Sequence, residues 1–422
     1  MPLTDKDRQF LTHHYATYYK EEFKTNFYLT ALEDREFAFD IWNPCYGRRP
    51  FERHIDFPRE ELLDNYLKDF VPRHFYTSAA RYEMPGEPSM REKGWKDNRE
   101  TNCDLIFDLD IDHIFTNCKK VHDKWVCKAC GQIGRGPAPS SCPRIGCVST
   151  SFKELTWECP KCMEVAKQQI IYLIEEFLTN DFGLNPNDSK EIFITFSGRR
   201  GYHVHVENER MRYLTSNARR ELIDYISGLN INPEFLGLKM GAKQLPNKSD
   251  RGWRGRMTRL TLQYMREATE AELRQFFRRK RKEIPTIREN MINDLNSDNP
   301  TWNYSEVGKR TLYNIIQTAI AKYVPKLDKP VTTDTHRLIR TPGSLHGKTG
   351  FLVKRLSFKE LESFNPYTDA QVFRGTVRVY IKEAPAFTLG GQDFGPYKDQ
   401  ATLLPLSAAI FLMSREMATI SK

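Results

Sequence analysis

The sequence predicts an α+β fold in which a mixed sheet core carries a cysteine-rich insert and a mostly helical inserted subdomain. Three observations predict it. Residues 104–112 alternate charged and apolar side chains with the period of two that a strand requires. Two apolar runs, Ile192-Phe193-Ile194-Thr195-Phe196 and Tyr202-His203-Val204-His205-Val206, flank Ser197-Gly198-Arg199-Arg200-Gly201 as a strand-turn-strand hairpin. Eight of the nine cysteines lie between Cys103 and Cys162.

Taken along the chain, an aromatic-rich helical start over 6–32 precedes a strand at 36–41 and a helix at 59–69. Residues 164–180 read as a helix from Ile170, Ile171, Leu173, Ile174 and Phe177, ended by Gly183. A further helix is expected at 217–227, and long helical patterns at 270–293 and 307–323. Late strands are expected at 350–356 and 375–381 around a short helix at 358–364, and an apolar helical pattern at 403–413. These elements predict a discontinuous core over 1–230 and 325–385, a metal-binding insert over 113–163, a helical subdomain over 231–324 and a C-terminal tail over 386–422.

On the 104–112 strand, Asp108 and Asp110 project to one face about 7 Å apart. Two hard carboxylates at that spacing can share divalent cations, and Asp104 and Asp112 fall on the same face. An isolated D-x-D is also what an edge strand with solvated aspartates looks like. The hairpin changes the balance: its glycines allow tight turning, and Ser197, Arg199, Arg200 and His203 offer donors to a triphosphate. Together the two motifs point to metal-assisted phosphoryl transfer.

The cysteines are a separate line of reasoning. Cys127-x-x-Cys130 and Cys159-Pro-Lys-Cys162 are turns that bring two thiolates onto one ion, and zinc suits tetrahedral thiolate sites. Cys118, Cys142 and Cys147 lie in the same stretch, with His113 and His122 interleaved. Clustered C-x-x-C pairs without a secretory leader favour metal over disulfides. Cys45 and Cys103 are expected to be buried thiols, and residues 134–141 a flexible loop.

With 422 residues, 39% hydrophobic, the chain can bury a core in more than one domain. No apolar run is long enough to span a membrane, so an intracellular protein is expected. A formal charge of +9 favours a polyanionic partner. Residues 274–282 place Arg274, Arg278, Arg279, Lys280, Arg281 and Lys282 around Phe276 and Phe277, either a phosphate-touching run or a solvated helix face.

These motifs, in this order, resemble the catalytic (small) subunit of archaeal and eukaryotic DNA primase. Tyr18-Tyr19 and residues 35–39 look like the family's opening, the Asp108/Asp110 strand its first metal-binding motif and residues 197–203 its S-G-R-R-G-x-H motif. A third block, from Lys326-Leu327-Asp328 through 340–350, resembles its late motif, so the resemblance spans roughly residues 18 to 350.

The resemblance implies a third metal-binding aspartate at Asp328, with Asp334 as its sequence neighbour and rival, and nucleotide contacts at Ser197, Arg199, Arg200, His203, Arg340 and His346. It implies magnesium or manganese in catalysis and a structural zinc knuckle using Cys118, His122, Cys159 and Cys162. Cys127, Cys130, Cys142 and Cys147 are then a candidate second zinc site, a departure from the short family knuckle; a single ribbon of Cys127, Cys130, Cys159 and Cys162 is the other pairing. The implied activity is synthesis of short RNA primers on single-stranded DNA from nucleoside triphosphates. The implied partner is a large primase subunit, joined in some lineages by a replicative polymerase. The compartment would be cytoplasmic in an archaeon and nuclear in a eukaryote. Two other readings are a related primase-polymerase of DNA repair and a non-catalytic zinc-ribbon nucleic-acid-binding protein.

Overall fold

Residues 2–42, 50–88, 96, 101–239 and 242–421 are described by the computed structural model; Cys45 lies outside them. The chain divides into two compact units, one of Met1–Ile171, Asn185–Arg220 and Lys326–Lys422 and the other of Tyr172–Leu184 and Glu221–Pro325.

The first unit is built on two four-stranded sheets. In one, strands Leu338–Arg340, Pro72–Ser78, Phe37–Ile41 and Phe51–Ile55 lie side by side in that order, all antiparallel. Its strands are rich in phenylalanine because the sheet is sealed by aromatic packing: Phe39 stacks on Phe75 with centroids 4.9 Å apart. Helix Asp5–Glu21, opened by a Thr4/Asp7 capping box, buries Leu11, Tyr15, Tyr18 and Tyr19. Tyr18 donates to the Gly343 carbonyl at 2.6 Å and Tyr19 accepts from the Leu345 amide at 3.3 Å, so this helix secures the late motif.

The second sheet has the order Arg355–Leu356, Ile192–Phe196, Gly201–Val206, Leu105–Asp110. Every residue of Ile192–Phe196 and Gly201–Val206 is buried, which explains their near-continuous apolar character. The second hairpin strand also pairs antiparallel with Leu105–Asp110, with Asp108 opposite His203 and Asp110 opposite Gly201. Gly201 is required there, since a Cβ would stand 2.2 Å from the Leu109 carbonyl oxygen.

The cysteine-rich insert is a small three-stranded sheet of Ile133–Arg135, Lys124–Cys127 and Phe152–Leu155. Residues beyond 386 continue the first unit: Tyr397–Pro405 and Ala418–Ile420 flank Thr376–Ala384 in a three-stranded sheet. Helix Leu406–Met413 is buried at seven of its eight positions. The helical pattern expected at 403–413 therefore begins later, because Leu403 and Leu404 belong to the strand and Pro405 occupies the cap.

The other unit is mainly helical, with Gly252–Glu267, Ile284–Asn296 and Lys309–Tyr323 as its longest helices. The long helix expected over 270–293 is broken: Glu270–Arg274 ends early and a new helix starts at Ile284, with Pro285 in its first turn. The basic run 274–282 therefore lies across irregular backbone and a 3₁₀ turn rather than on one helix face. Helix Gly252–Glu267 went unread because its arginines hide its apolar face. One of them, Arg256, is 1% exposed, bonded to Asp181 at 3.0 Å and 3.9 Å from the Phe177 ring centroid. The start of the chain also differs from a single helix over 6–32, since the first helix stops at Glu21 and a separate turn spans Phe23–Asn26.

Candidate active site

The strand Leu105–Asp110 holds Asp108 and Asp110 at the lip of a cleft of about 430 Å³ in the first unit. The amide of Asp328 donates to the Asp108 carbonyl at 2.9 Å, which brings a third carboxylate across 220 residues of sequence to the same cleft. Burial first, and then the facing Asp328 charge, raises the Asp108 carboxyl to about 6. Asp110 is also raised to about 6, by burial and by Asp112, although Arg200 opposes the shift from 3.1 Å. One end of the cleft thus crowds carboxylates together, Asp110 partly offset by Arg200, in a set of hard oxygen donors. That is what a divalent cation of the magnesium type requires.

The other side of the cleft is basic. Ser197, Arg199, Arg200, His203, Arg340 and His346 all line it, with Lys348, His113 and Arg337 beside them. The hairpin turn is closed by Ser197 N donating to Gly201 O at 2.9 Å, while Ser197 Oγ accepts from Gly201 N at 3.2 Å. At Gly198 the backbone is left-handed, φ +82°, and a Cβ would lie 2.6 Å from His346 Cβ. Thr349 Oγ1 donates to Gly198 O at 2.6 Å, so the turn and the late motif are joined directly.

His203 Nε2 stands 3.6 Å from Asp108 Oδ1, yet burial and then Arg340 lower the imidazole to about 3. The contact is between a neutral ring and a carboxylate, not an ion pair. His346 is likewise held well below its ordinary value by burial and the Arg340 charge, and its Nδ1 accepts from Lys348 N at 3.1 Å. Arg340 donates to His74 Nδ1 at 2.7 Å and lies 5.0 Å from the Tyr76 ring centroid.

The remaining aspartates have other surroundings. Asp104, 2% exposed, is enclosed by Arg35 at 2.5 Å, Arg212 at 3.0 Å and Arg81 at 3.3 Å. Asp334 does not line the cleft and accepts from His336 N at 2.9 Å. Asp112 lines it, bonded to Arg200.

Sequence reasoning missed His74, Arg415 and Glu158. Glu158 Oε1 accepts from Arg199 Nε at 2.5 Å and its other oxygen from Arg415. The only local signal was its place directly before the Cys159-x-x-Cys162 turn.

The cysteines gather in two groups. In the first, Cys118, His122, Cys159 and Cys162 have ligand atoms within 4.8 Å of one another, with Cys118–Cys159 and Cys159–Cys162 sulfur separations of 3.6 Å. His122 Nδ1 bonds Asp123 at 2.7 Å and turns Nε2 to the sulfurs, 3.4 Å from Cys162. In the second, Cys127, Cys130, Cys142 and Cys147 meet the same limit, with Cys127–Cys147 at 3.8 Å and Cys130–Cys142 at 3.6 Å. Tetrahedral zinc–sulfur bonds of about 2.3 Å place sulfurs about 3.8 Å apart, so both groups could hold a zinc ion. Cys127 and Cys130 do not join Cys159 and Cys162. The eight described cysteines are free thiols, and Cys103 is buried.

An α+β unit with a carboxylate-and-arginine cleft beside a cysteine-rich insert has the features of a nucleotide-handling enzyme. The family model of the DNA primase small subunit matches residues 154–358. The DNA primase small subunit PriS of Methanothrix thermoacetophila is 33% identical over 439 residues, covering 96% of this chain and 98% of its own length. PriS of Nitrosopumilus maritimus is 28% identical over 423 residues, covering 99% and 100%. PriS of Haloarcula marismortui is 28% identical over 448 residues and covers both chains fully, 100% and 100%. The chain belongs to the DNA primase small subunit family. Among the described residues, no helix is long and apolar enough to cross a membrane.

Proposed function

We propose that this chain is the catalytic subunit of a DNA primase, a nucleotidyltransferase that makes short RNA primers on single-stranded DNA from nucleoside triphosphates. The observation that carries the reading is the meeting of Asp108, Asp110 and Asp328 with Ser197, Arg199, Arg200, His203, Arg340 and His346 in one cleft of the first unit, which would be its catalytic core.

Asp108, Asp110 and Asp328 would hold the catalytic cations. Bound magnesium or manganese supplies charge neutralisation at the attacking 3′-hydroxyl and at the departing pyrophosphate. The chain's own residues do the positioning. Arg199 and Arg200 present guanidinium groups to the phosphates from a turn that the Ser197–Gly201 bonds hold rigid. His203 and His346, kept neutral by burial, can each donate one N–H to a phosphate oxygen without binding it as a charge. Arg340 adds a fixed charge behind them, its orientation set by His74 and Tyr76. Most of the acceleration then comes from orientation and preorganised charge. Zinc at the two cysteine groups would be structural, since four protein ligands leave no open position.

Partners that fit this reading are a large primase subunit, the single-stranded template and, depending on lineage, a replicative polymerase; the activity belongs inside the cell, where the template is. The test is incubation of the purified chain and its Asp108→Ala variant on unprimed single-stranded DNA with labelled nucleotides and magnesium or manganese. New oligonucleotides made by the wild type alone are expected. Equal synthesis by the variant would overturn the cleft assignment, and extension of added primers without initiation would mean that initiation needs the large subunit.

A further inference from the structure

Behind Arg199 and Arg200, away from the three aspartates, the first unit holds a second basin of about 640 Å³. Arg199, Arg200 and Lys348 line both cavities, so the two share a wall of cations. The new part of the lining comes from Arg73, from Lys124 and Lys153 on the cysteine-rich sheet, and from Arg415. Seven lysines and arginines in all face three glutamates.

This excess of positive charge is only partly answered from within. Arg415 is 8% exposed, bonded to Glu158 and held 4.3 Å from the Phe411 ring centroid, but its Nε has no partner among the described residues. The Arg73 Nε is buried and equally without one. Burial first, then Arg199, Arg200 and Arg340, pulls the Lys348 ammonium below its ordinary value. Most of these cations have a carboxylate partner outside or at the rim of the basin, Arg73 with Asp40 at 2.7 Å, Lys124 with Glu383 at 3.4 Å, Arg200 with Asp110 and Asp112, and Arg199 and Arg415 with the one Glu158. What a bound polyanion relieves is the remainder: two immobilised guanidinium Nε donors and the crowding of cations around Lys348.

We propose that the basin is an oligophosphate site that receives the pyrophosphate leaving the catalytic cleft. The source of the ligand rests on the reading of the cleft above; the binding itself does not. A site that grips a triphosphate through several arginines must also release the diphosphate, and diffusion straight into solvent would break every contact at once. Here the same Arg199, Arg200 and Lys348 serve both cavities, so a pyrophosphate can exchange contacts one at a time as it moves to Lys124, Lys153 and Arg415. The carboxylate set that marks the cation end of the cleft is missing from the basin's lining, which suits a departing product rather than a reacting group.

The experiment uses the zinc-loaded full chain with its cleft filled by an excess of a non-hydrolysable nucleoside triphosphate, and titrates inorganic pyrophosphate by calorimetry. The wild type should bind one pyrophosphate. The Lys124→Ala/Lys153→Ala double variant, altered only at exposed side chains, should bind it about fivefold or more weakly. In primer synthesis, the same variant should show a matching rise in the pyrophosphate inhibition constant with an unchanged nucleotide KM. Loss of pyrophosphate binding once the cleft is filled, or equal affinity in the double variant, overturns the proposal. A second equivalent of the nucleoside triphosphate that displaces pyrophosphate overturns the exit role and makes the basin a second nucleotide site. Asp108→Ala separates the two readings: it should end synthesis and keep basin binding, whereas retained synthesis would defeat the cleft assignment and leave the titration result standing.

Discussion

Glu158 and Arg199 are joined by a 2.5 Å hydrogen bond in which a carboxylate only 2% exposed orients the first arginine of the Ser197–Gly201 turn. The next residue along the chain is Cys159, in the first cysteine group. The cysteine-rich insert is therefore tied to the basic wall of the cleft through one carboxylate, which also holds Arg415. Glu158 is kept ionised despite burial by Arg415 and then Arg199.

Replacing Glu158 with glutamine keeps the shape and removes the charge that both arginines need. We expect Glu158→Gln to lower unfolding free energy by about 2–4 kcal/mol, since it leaves two largely buried guanidinium groups uncompensated. The nucleotide KM should rise with zinc content unchanged. Denaturant unfolding together with steady-state kinetics checks both, and a normal KM would show that Arg199 needs no such support.

The aspartates should separate into two behaviours. Asp328→Ala removes a charge that repels Asp108, so synthesis should be lost with stability unchanged or slightly raised. Asp104→Ala leaves Arg35, Arg81 and Arg212 around an empty space and should cost about 3–5 kcal/mol. Asp334→Ala, at a half-exposed turn, should stay within about 0.5 kcal/mol and keep activity. Melting curves and primer synthesis on the three variants test this; loss of activity in Asp334→Ala with a normal melting curve would reassign the third ligand.

Stability should also depend on pH through His74. Its Nδ1 accepts from Arg340 at 2.7 Å and from Gly347 N at 3.2 Å, and burial followed by Arg340 lowers it to about 2. The unfolded side chain titrates near about 6.5. Between those values the unfolded state holds the extra proton, so this contribution is complete above 6.5 and is lost as pH falls toward 2, at up to about 1.4 kcal/mol per pH unit. His346 acts in the same direction. His74→Asn should flatten the slope of stability between pH 7 and 5 relative to wild type, read by denaturant unfolding at constant zinc; parallel slopes would mean that His74 is protonated in the native state.

The two cysteine groups predict two zinc ions per chain by elemental analysis. Cys142→Ser and Cys162→Ser should each remove one equivalent, and the double variant both. A single equivalent in the wild type, lost in either variant, would mean that the groups share one ion.

Much of this molecule was legible where neighbours in sequence are neighbours in space. The D-x-D strand, the hairpin and its turn are local, since period-two alternation and glycine positions decide them without help from the rest of the chain. The C-x-x-C turns were legible for the same reason. Asp328 was reached only through resemblance, because nothing in its own surroundings separates it from Asp334. Asp104 shares the face of Asp108 and Asp110, and only the meeting of Arg35, Arg81 and Arg212 shows that it is occupied elsewhere.

By itself, then, the sequence determined the D-x-D strand, the hairpin strands and their turn, the cysteine turns and the excess of positive charge, all properties of short windows in which backbone period and side-chain chemistry act directly. The tertiary structure alone decided which carboxylate faces Asp108, which cysteines share a group, that Arg256 of helix Gly252–Glu267 is buried, and that Glu158 and His74 stand behind the basic wall. Those choices depend on distance and burial between segments far apart in the chain, where charge interactions grow as water is excluded and no local pattern records the partner.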